Sequence, residues 1–208
     1  MVQFCNKKGA GVVLFVYSCI FSRTIAKVQT DMDTASGLTP TLVGAHNYCS
    51  QEMVNLLLTG RATSNVFDGQ KVLGDDDADA VTLHGVSKRT TVGFLTLFEA
   101  YDYMTVGGNL KTPLYPIWVI CSESHYSILF CEDATLVATE QGLEQFDLHY
   151  YDGLAHQDEP IRLSINSSSG TPMEKPIPRD ALIPPLNLVI QTKWPRAAID
   201  WNATEPIL

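Results

Sequence analysis

Residues Pro116 to Phe130 read PIWVICSESHYSILF, two apolar runs separated by a polar break that contains one histidine. Both runs are rich in β-branched and aromatic residues and have the length of a strand. A third run of this kind, Phe146 to Tyr151, ends at an Asp-Gly pair. The pattern predicts strands at Ile117–Cys121, Tyr126–Cys131 and Phe146–Tyr151, with His125 at the mouth of a sheet.

The chain before and after these runs predicts helices first and strands later. Apolar spacing predicts a helix from Gly11 to about Met32, a short, mostly buried helix after Cys49, and another helix from Thr90 to Tyr103. Leu186 to Thr192 is predicted as a last strand. Because helices precede strands instead of alternating with them, the sequence predicts an α+β fold with a mostly antiparallel sheet.

Length and charge restrict the class of protein. A chain of 208 residues that is 45% hydrophobic can bury one core, so we expect a single domain over residues 1–208. A formal charge of -9 would repel a phosphate backbone, which argues against a nucleic-acid partner. Stretches rich in Gly, Pro, Ser or Asp at 31–44, 68–79 and 166–185 are predicted as surface loops.

The cysteines and the N-terminal sequence indicate the cellular compartment of the protein. Five cysteines, an odd number without regular spacing, favour a reducing, intracellular compartment. The apolar run from Gly9 to Phe21 follows two lysines and resembles the core of a signal peptide. As a helix it would rise about 20 Å, short of the roughly 30 Å hydrocarbon core. We therefore expect a buried core helix and no membrane contact, with a signal sequence as the competing interpretation.

His125 is the first candidate for chemistry. A histidine at the start of a central strand can serve a thiolate on a facing helix as base and then as acid. By itself, a histidine at a strand edge is more often structural or merely exposed. Asp152, at the end of the third strand run, could orient the imidazole, although a turn-forming Asp-Gly pair is the favoured explanation.

The cysteines offer two nucleophile candidates and one metal hypothesis. Four extended residues put Cys121 roughly 13 Å from His125, which is too far for a hydrogen bond. Cys49 near a helix N-terminus would have a stabilised thiolate, but it lacks a glycine-rich approach, and a buried, inert cysteine is the alternative. His46 and Cys49, together with Cys121 and His125, have spacings that zinc tolerates, but the two pairs lie far apart in sequence.

Several segments resemble one family of enzymes. They are Glu52 to Asp68, Leu110 to Pro113, Ser122 to Ser127, Tyr150 to Leu154, and Thr192 to Trp194 together with Trp201-Asn202. In order and spacing, from about Gly11 to Leu208, they resemble the third-and-fourth branch of the MINDY deubiquitinases. The resemblance implies a divergent papain-like cysteine protease fold, of which this chain would be a part that is incomplete at the N-terminus.

The resemblance also implies an activity and a site. Members hydrolyse isopeptide bonds in polyubiquitin, with a preference for the linkage that marks proteins for degradation, so ubiquitin and polyubiquitin are the implied partners. His125 matches the catalytic histidine, and no metal or other cofactor is implied. The family's nucleophile lies in a Gly-Pro-Cys-Gly segment that this sequence lacks, and the chain is expected to begin after it. We therefore expect an inactive fragment, or alternatively a noncatalytic ubiquitin-binding pseudoenzyme, in the cytoplasm or the nucleus.

Overall fold

A computed structural model describes residues 4, 6, 9–34, 40–74, 80–138, 142–155, 157–177 and 182–206. Contacts divide the chain into two units, Met1–Ser87 and Lys88–Leu208. Helices dominate the start of the chain and a mostly antiparallel sheet follows, so the predicted α+β class is confirmed. The single-domain assignment stays a prediction.

The predicted N-terminal helix forms as two helices, α1 (Gly11–Arg23) and α2 (Ile25–Asp31). The break is at Thr24, whose φ of 73° lies in the left-handed region that a helix cannot contain. Its side chain then accepts a hydrogen bond from Lys27 N–H and begins α2. No single described helix is long and apolar enough to cross a membrane; α1 and α2 pass that test only as a pair bent by 85°.

The prediction that the N-terminal run forms a buried helix is wrong for α1. Val12, Leu14 and Phe21 are 69%, 63% and 65% exposed, and Gly11 is the only buried residue of this helix. Apolar residues occur on every side of α1, so one helix cannot turn all of them towards one core. In the first unit, one buried cluster consists of Val28, Leu56 and Ala62, with partly buried neighbours Cys19, Ile20, Met32 and Leu42.

The second predicted helix is confirmed as α3 (Gln51–Thr59). Ser50 begins it by accepting a hydrogen bond from Met53 N–H, and Gly60 ends it in the left-handed conformation that glycine adopts without strain. Met53, Val54, Asn55 and Leu56 are buried, as predicted. The buried Asn55 amide is satisfied because it donates to the backbone oxygens of Thr63 and Asn65.

The predicted loop at 68–79 is wrong in part. Gln70–Leu73 forms β1, which pairs antiparallel with β2 (Val81–His84). All four β1 residues are exposed, so the strand carries no burial pattern that a sequence can reveal. Residues 75–79, and residues 35–39 of the earlier predicted loop, lie outside the described residues. A short 3-10 turn, Ala45–Asn47, precedes α3.

The second unit is built on a six-stranded sheet in the order β3-β4-β5-β6-β7-β8. Only the β3–β4 pair is parallel. The strands are β3 (Gly93–Thr96), β4 (Ile117–Ser122), β5 (His125–Phe130), β6 (Gln145–Tyr151), β7 (Ile161–Asn166) and β8 (Ala198–Asp200). The helices are α4 (Leu97–Ala100), α5 (Gly108–Lys111), α6 (Thr135–Ala138) and α7 (Pro185–Lys193). The three predicted strands correspond to β4, β5 and β6 and are confirmed.

Two predictions of secondary structure are wrong in this unit. The helix predicted over Thr90–Tyr103 contains strand β3, whose four residues are all buried, followed by the four-residue α4. A fully buried strand has no alternation, so its apolar residues fitted a helical period equally well. The predicted strand Leu186–Thr192 is helix α7, which begins at Pro185, a residue suited to the first helical position. Leu186, Leu188, Val189 and Ile190 are buried in the core of this unit.

Trp118 lies at the centre of this core. It is fully buried, its indole N–H donates to Lys111 O, and its ring meets Trp194 edge-on with centroids 5.6 Å apart. The ammonium of Lys193 lies over both indoles, 5.5 Å from Trp118 and 4.9 Å from Trp194. Burial, with Lys111 and Arg89 nearby, lowers the pKa of Lys193 to about 8. The Thr-Lys-Trp segment noted in the sequence therefore packs against the core.

Gly93→Ala is expected to destabilise the second unit by about 2 to 3 kcal/mol. A Cβ there would come within 2.4 Å of both Leu110 O and the Trp118 ring, and the backbone oxygen cannot rotate away. Urea denaturation followed by tryptophan fluorescence measures this, since all three tryptophans lie in residues 88–208. The matched control is Gly153→Ala, where the nearest atom is 3.9 Å away. Equal stability of the two variants would contradict the packing described for Gly93.

Candidate active site

The strand register determines where His125 lies. It is the first residue of β5 and faces Ser122, the last residue of β4, across a two-residue turn. Glu123 in that turn has a φ of 56°, which is uncommon for a residue with a side chain. Alternation along β5 puts His125 on the same face as Ser127 and Leu129, which are buried. His125 thus lies at the end of the sheet face that carries the core, and its side chain is 40% exposed.

The structure brings Asp152 to His125. Asp152 follows the last residue of β6 directly, and β5–β6 pairing ends at Ile128 with Tyr151. One further step along this register would put Asp152 opposite Ser127 and diagonal to His125, within reach of a side-chain contact. His125 Nε2 and Asp152 Oδ2 are 2.7 Å apart. Asp152 is buried, with 8% of its surface exposed.

The same aspartate also forms the turn that the Asp-Gly pair predicted. Its Oδ1 accepts a hydrogen bond from Leu154 N–H at 2.8 Å, and its backbone oxygen accepts one from Ala155 N–H. The two interpretations made from the sequence are therefore compatible, because one carboxylate oxygen serves the turn and the other serves the histidine. The catalytic assignments of both residues stay predictions.

Electrostatics keep Asp152 ionised. Burial opposes its charge, but hydrogen bonds from Leu154 N–H, the His125 ring and Ala155 N–H, together with the imidazole charge, bring the pKa of Asp152 below its usual value. An ionised carboxylate only accepts hydrogen bonds, so a neutral His125 must carry its proton on Nε2. The lone pair is then on Nδ1, which gives the ring a basic nitrogen on the side away from Asp152.

Ser127 and Tyr150 lie next to the pair on the same face of the sheet and were not identified from the sequence. They lie on the same face as His125 and Asp152, one alternation further into the sheet, and their side chains are hydrogen-bonded. Burial raises the pKa of the Tyr150 hydroxyl, which therefore stays protonated. The period-two alternation that continues from His125 to Ser127 is the sequence signal that could have revealed the first of them.

Cys121 does not join this pair. Cys121 faces Tyr126 in the β4–β5 ladder, so it lies on the opposite face of the sheet from His125. Burial raises its pKa, which disfavours a thiolate. Cys49 is exposed and lies one residue before the Ser50 cap of α3, in the other unit. Among the described residues, no group of three or more His, Cys, Asp or Glu side chains could hold a metal ion, so the zinc hypothesis gains no support.

Comparison with known proteins identifies the family. Residues 1–203 match the conserved domain described as deubiquitinating enzyme MINDY-3/4. The chain belongs to the MINDY-3/4 deubiquitinase family. The probable ubiquitin carboxyl-terminal hydrolases MINDY-4 of Xenopus tropicalis and Homo sapiens are 48% and 46% identical to it over 95% of the chain, which covers 26% and 25% of those proteins. Human MINDY-3, named as a ubiquitin carboxyl-terminal hydrolase, is 41% identical over 65% of the chain and 29% of that protein.

The chain spans about a quarter of the length of the MINDY-4 relatives that it matches. No solved structure matches the chain. The resemblance to the MINDY family noted in the sequence is confirmed.

Asp152→Asn should make unfolding less dependent on pH. The pKa of Asp152 is lower in the folded chain than the usual value of about 4, so its carboxylate stabilises the fold above that pH and ceases to do so as the pH falls. The difference in unfolding free energy between wild type and Asp152→Asn should therefore be largest near neutrality and shrink below about pH 4. Denaturation titrations from neutral pH to pH 3 measure it, with the exposed Asp158→Asn as control. A difference that grew on acidification would contradict this account.

Proposed function

We propose that this chain is the histidine-bearing part of a thiol-dependent deubiquitinase that hydrolyses isopeptide bonds in polyubiquitin. One observation carries the proposal: a part-exposed imidazole at a strand end, whose Nε2 is 2.7 Å from a buried carboxylate. Membership of the MINDY-3/4 family supplies the reaction class. Neither fact suffices alone, because histidine–carboxylate pairs also occur as structural contacts.

The proposed chemistry divides the ring between two tasks. Asp152 accepts the hydrogen bond from Nε2–H, which leaves Nδ1 to take the proton of a cysteine thiol. The thiolate attacks the carbonyl carbon of the ubiquitin C-terminal glycine, and His125 then protonates the departing lysine amine. Water, deprotonated by the same ring, hydrolyses the thioester and restores the thiol. Asp152 stabilises the imidazolium that forms in each half of the reaction.

The finer features follow the family resemblance. We propose a divergent papain-like arrangement, supported by a mostly antiparallel sheet with the histidine at the start of an inner strand. We also propose a preference for degradation-linked polyubiquitin chains and an intracellular site of action in the cytoplasm or nucleus. Four free cysteines among the described residues are compatible with a reducing compartment.

We propose that the 208 residues alone do not catalyse the reaction. The sequence contains no Gly-Pro-Cys-Gly segment, and Cys121 is buried on the opposite face from His125. A base without its nucleophile cannot form the acyl intermediate. The same observation favours the second candidate, a noncatalytic protein that binds ubiquitin.

A ubiquitin carrying an electrophile at its C-terminus should not capture the 208-residue chain covalently. Cys121 is buried on the opposite face of the sheet from His125, and no cysteine of the sequence stands in a Gly-Pro-Cys-Gly segment, so modification should stay at the level seen with free cysteine. Gel shift and intact mass measure capture, and Cys49→Ser serves as the matched variant for the exposed thiol. Rapid capture that Cys49→Ser abolishes would make Cys49 the nucleophile and overturn the proposed inactivity. Affinity for ubiquitin without capture supports the noncatalytic candidate for this chain.

In a form of the protein that also carries the nucleophile segment, His125→Ala should lower kcat/KM for polyubiquitin cleavage by about 10⁴-fold or more. The change removes base and acid while leaving the core residues in place. His149→Ala is the matched control, because His149 lies on the opposite face of the same sheet, stacked on Phe130. Circular dichroism should show both variants folded. Near-normal turnover by folded His125→Ala would exclude this ring as the base.

A further inference from the structure

The amide of Gln157 folds back onto the turn that holds Asp152. Its Oε1 accepts a hydrogen bond from Asp152 N–H at 2.5 Å. Its Nε2 is buried, and no atom of the described residues accepts a hydrogen bond from it. A buried amide with an unused N–H₂ opposes folding, so its presence beside the His125–Asp152 pair calls for a physical reason.

The chemistry of the contact fixes which way the amide points. A backbone N–H can only donate, so the atom that faces Asp152 N–H must be the oxygen. Rotating the amide would set N–H₂ against N–H and lose the bond. The unpartnered Nε2 is thus a consequence of keeping the acceptor on Asp152. Glutamine is also the neutral side chain of this length with an acceptor oxygen, whereas glutamate would put a second negative charge beside the Asp152 carboxylate.

We propose that Gln157 is a positioning residue, which holds Asp152 so that the carboxylate keeps the His125 ring in the Nε2–H tautomer. This inference rests on the proposed function of His125 and names a further residue of the same site. Gln157 acts through Asp152 and has no proposed contact with substrate.

Four contacts then hold the aspartate. Leu154 N–H donates to Oδ1 at 2.8 Å, His125 Nε2 lies 2.7 Å from Oδ2, Ala155 N–H donates to the backbone oxygen, and Gln157 Oε1 accepts from the backbone N–H. Asp152 is buried, so losing Gln157 Oε1 leaves that N–H without a partner and drives the turn to rearrange. We expect this rearrangement to displace Oδ2 from Nε2. The ring would then lose the acceptor that strengthens its preference for the Nε2–H tautomer.

The test measures the tautomer directly in the 208-residue chain. Nitrogen-15 NMR of the neutral imidazole distinguishes protonation at Nε2 from protonation at Nδ1. Wild type should show His125 protonated at Nε2, and Gln157→Met, which keeps the volume but removes the acceptor, should shift it to a mixture of tautomers. Gln145→Met is the matched control, because Gln145 is exposed on β6 of the same unit. Gln157→Glu retains an acceptor oxygen and should retain more of the Nε2–H form than Gln157→Met.

A tautomer ratio in folded Gln157→Met equal to wild type would overturn the proposal. If Gln157→Met does not fold, Gln157→Asn takes its place, since shortening the side chain by one methylene withdraws the acceptor. In a form with the nucleophile segment, Gln157→Met should lower kcat on the order of tenfold with KM within about twofold, as for groups that orient a functional histidine indirectly. Failure of the proposed function is distinguishable: active His125→Ala would reject the enzyme mechanism, whereas the tautomer measurement does not depend on activity.

Discussion

The antiparallel register of β4 on β5, in which Ser122 faces His125, is the constraint on which the second unit depends. The same register sets Trp118 opposite Leu129, and both side chains are fully buried. A slip of β5 by one residue would turn Leu129 to the other face of the sheet and carry His125 with it. The burial of a tryptophan and a leucine in the core therefore also determines where the imidazole points.

This constraint explains why His125 meets the Asp152 carboxylate and no thiol from the same hairpin. His125 and its partner Ser122 lie at the end of the face that carries the core. Cys121 pairs with Tyr126, one residue along, so its side chain is on the opposite face. Asp152 reaches the imidazole because β6 pairs with β5 and its last residue, Tyr151, directly precedes Asp152. Backbone N–H groups of the following turn hold Asp152, because Leu154 N–H donates to its Oδ1 and Ala155 N–H donates to its backbone oxygen.

The outcome of the individual predictions has a common physical explanation. β4, β5 and β6 were predictable because β-branched and aromatic residues are concentrated at strand length between polar breaks. β3 was misassigned because all four of its residues are buried, which removes the alternation that marks a strand. α7 was misassigned because its short apolar stretch, Leu186 to Ile190, fits a strand and a helix equally well. α1 was correctly predicted as a helix, but the prediction that it is buried was wrong. An apolar sequence favours burial, but it does not show which surface would cover the helix.

The sequence by itself determined the family, the α+β class and the identity of His125 as the candidate base, because these follow from local runs and from the order of short motifs. Only the tertiary structure decided that Asp152 meets the imidazole, that Cys121 does not, and that Gln157 holds the aspartate. Those relations depend on strand register and on which backbone groups a turn leaves available. They arise between residues whose proximity is set by the burial of other side chains, and no local pattern encodes that proximity.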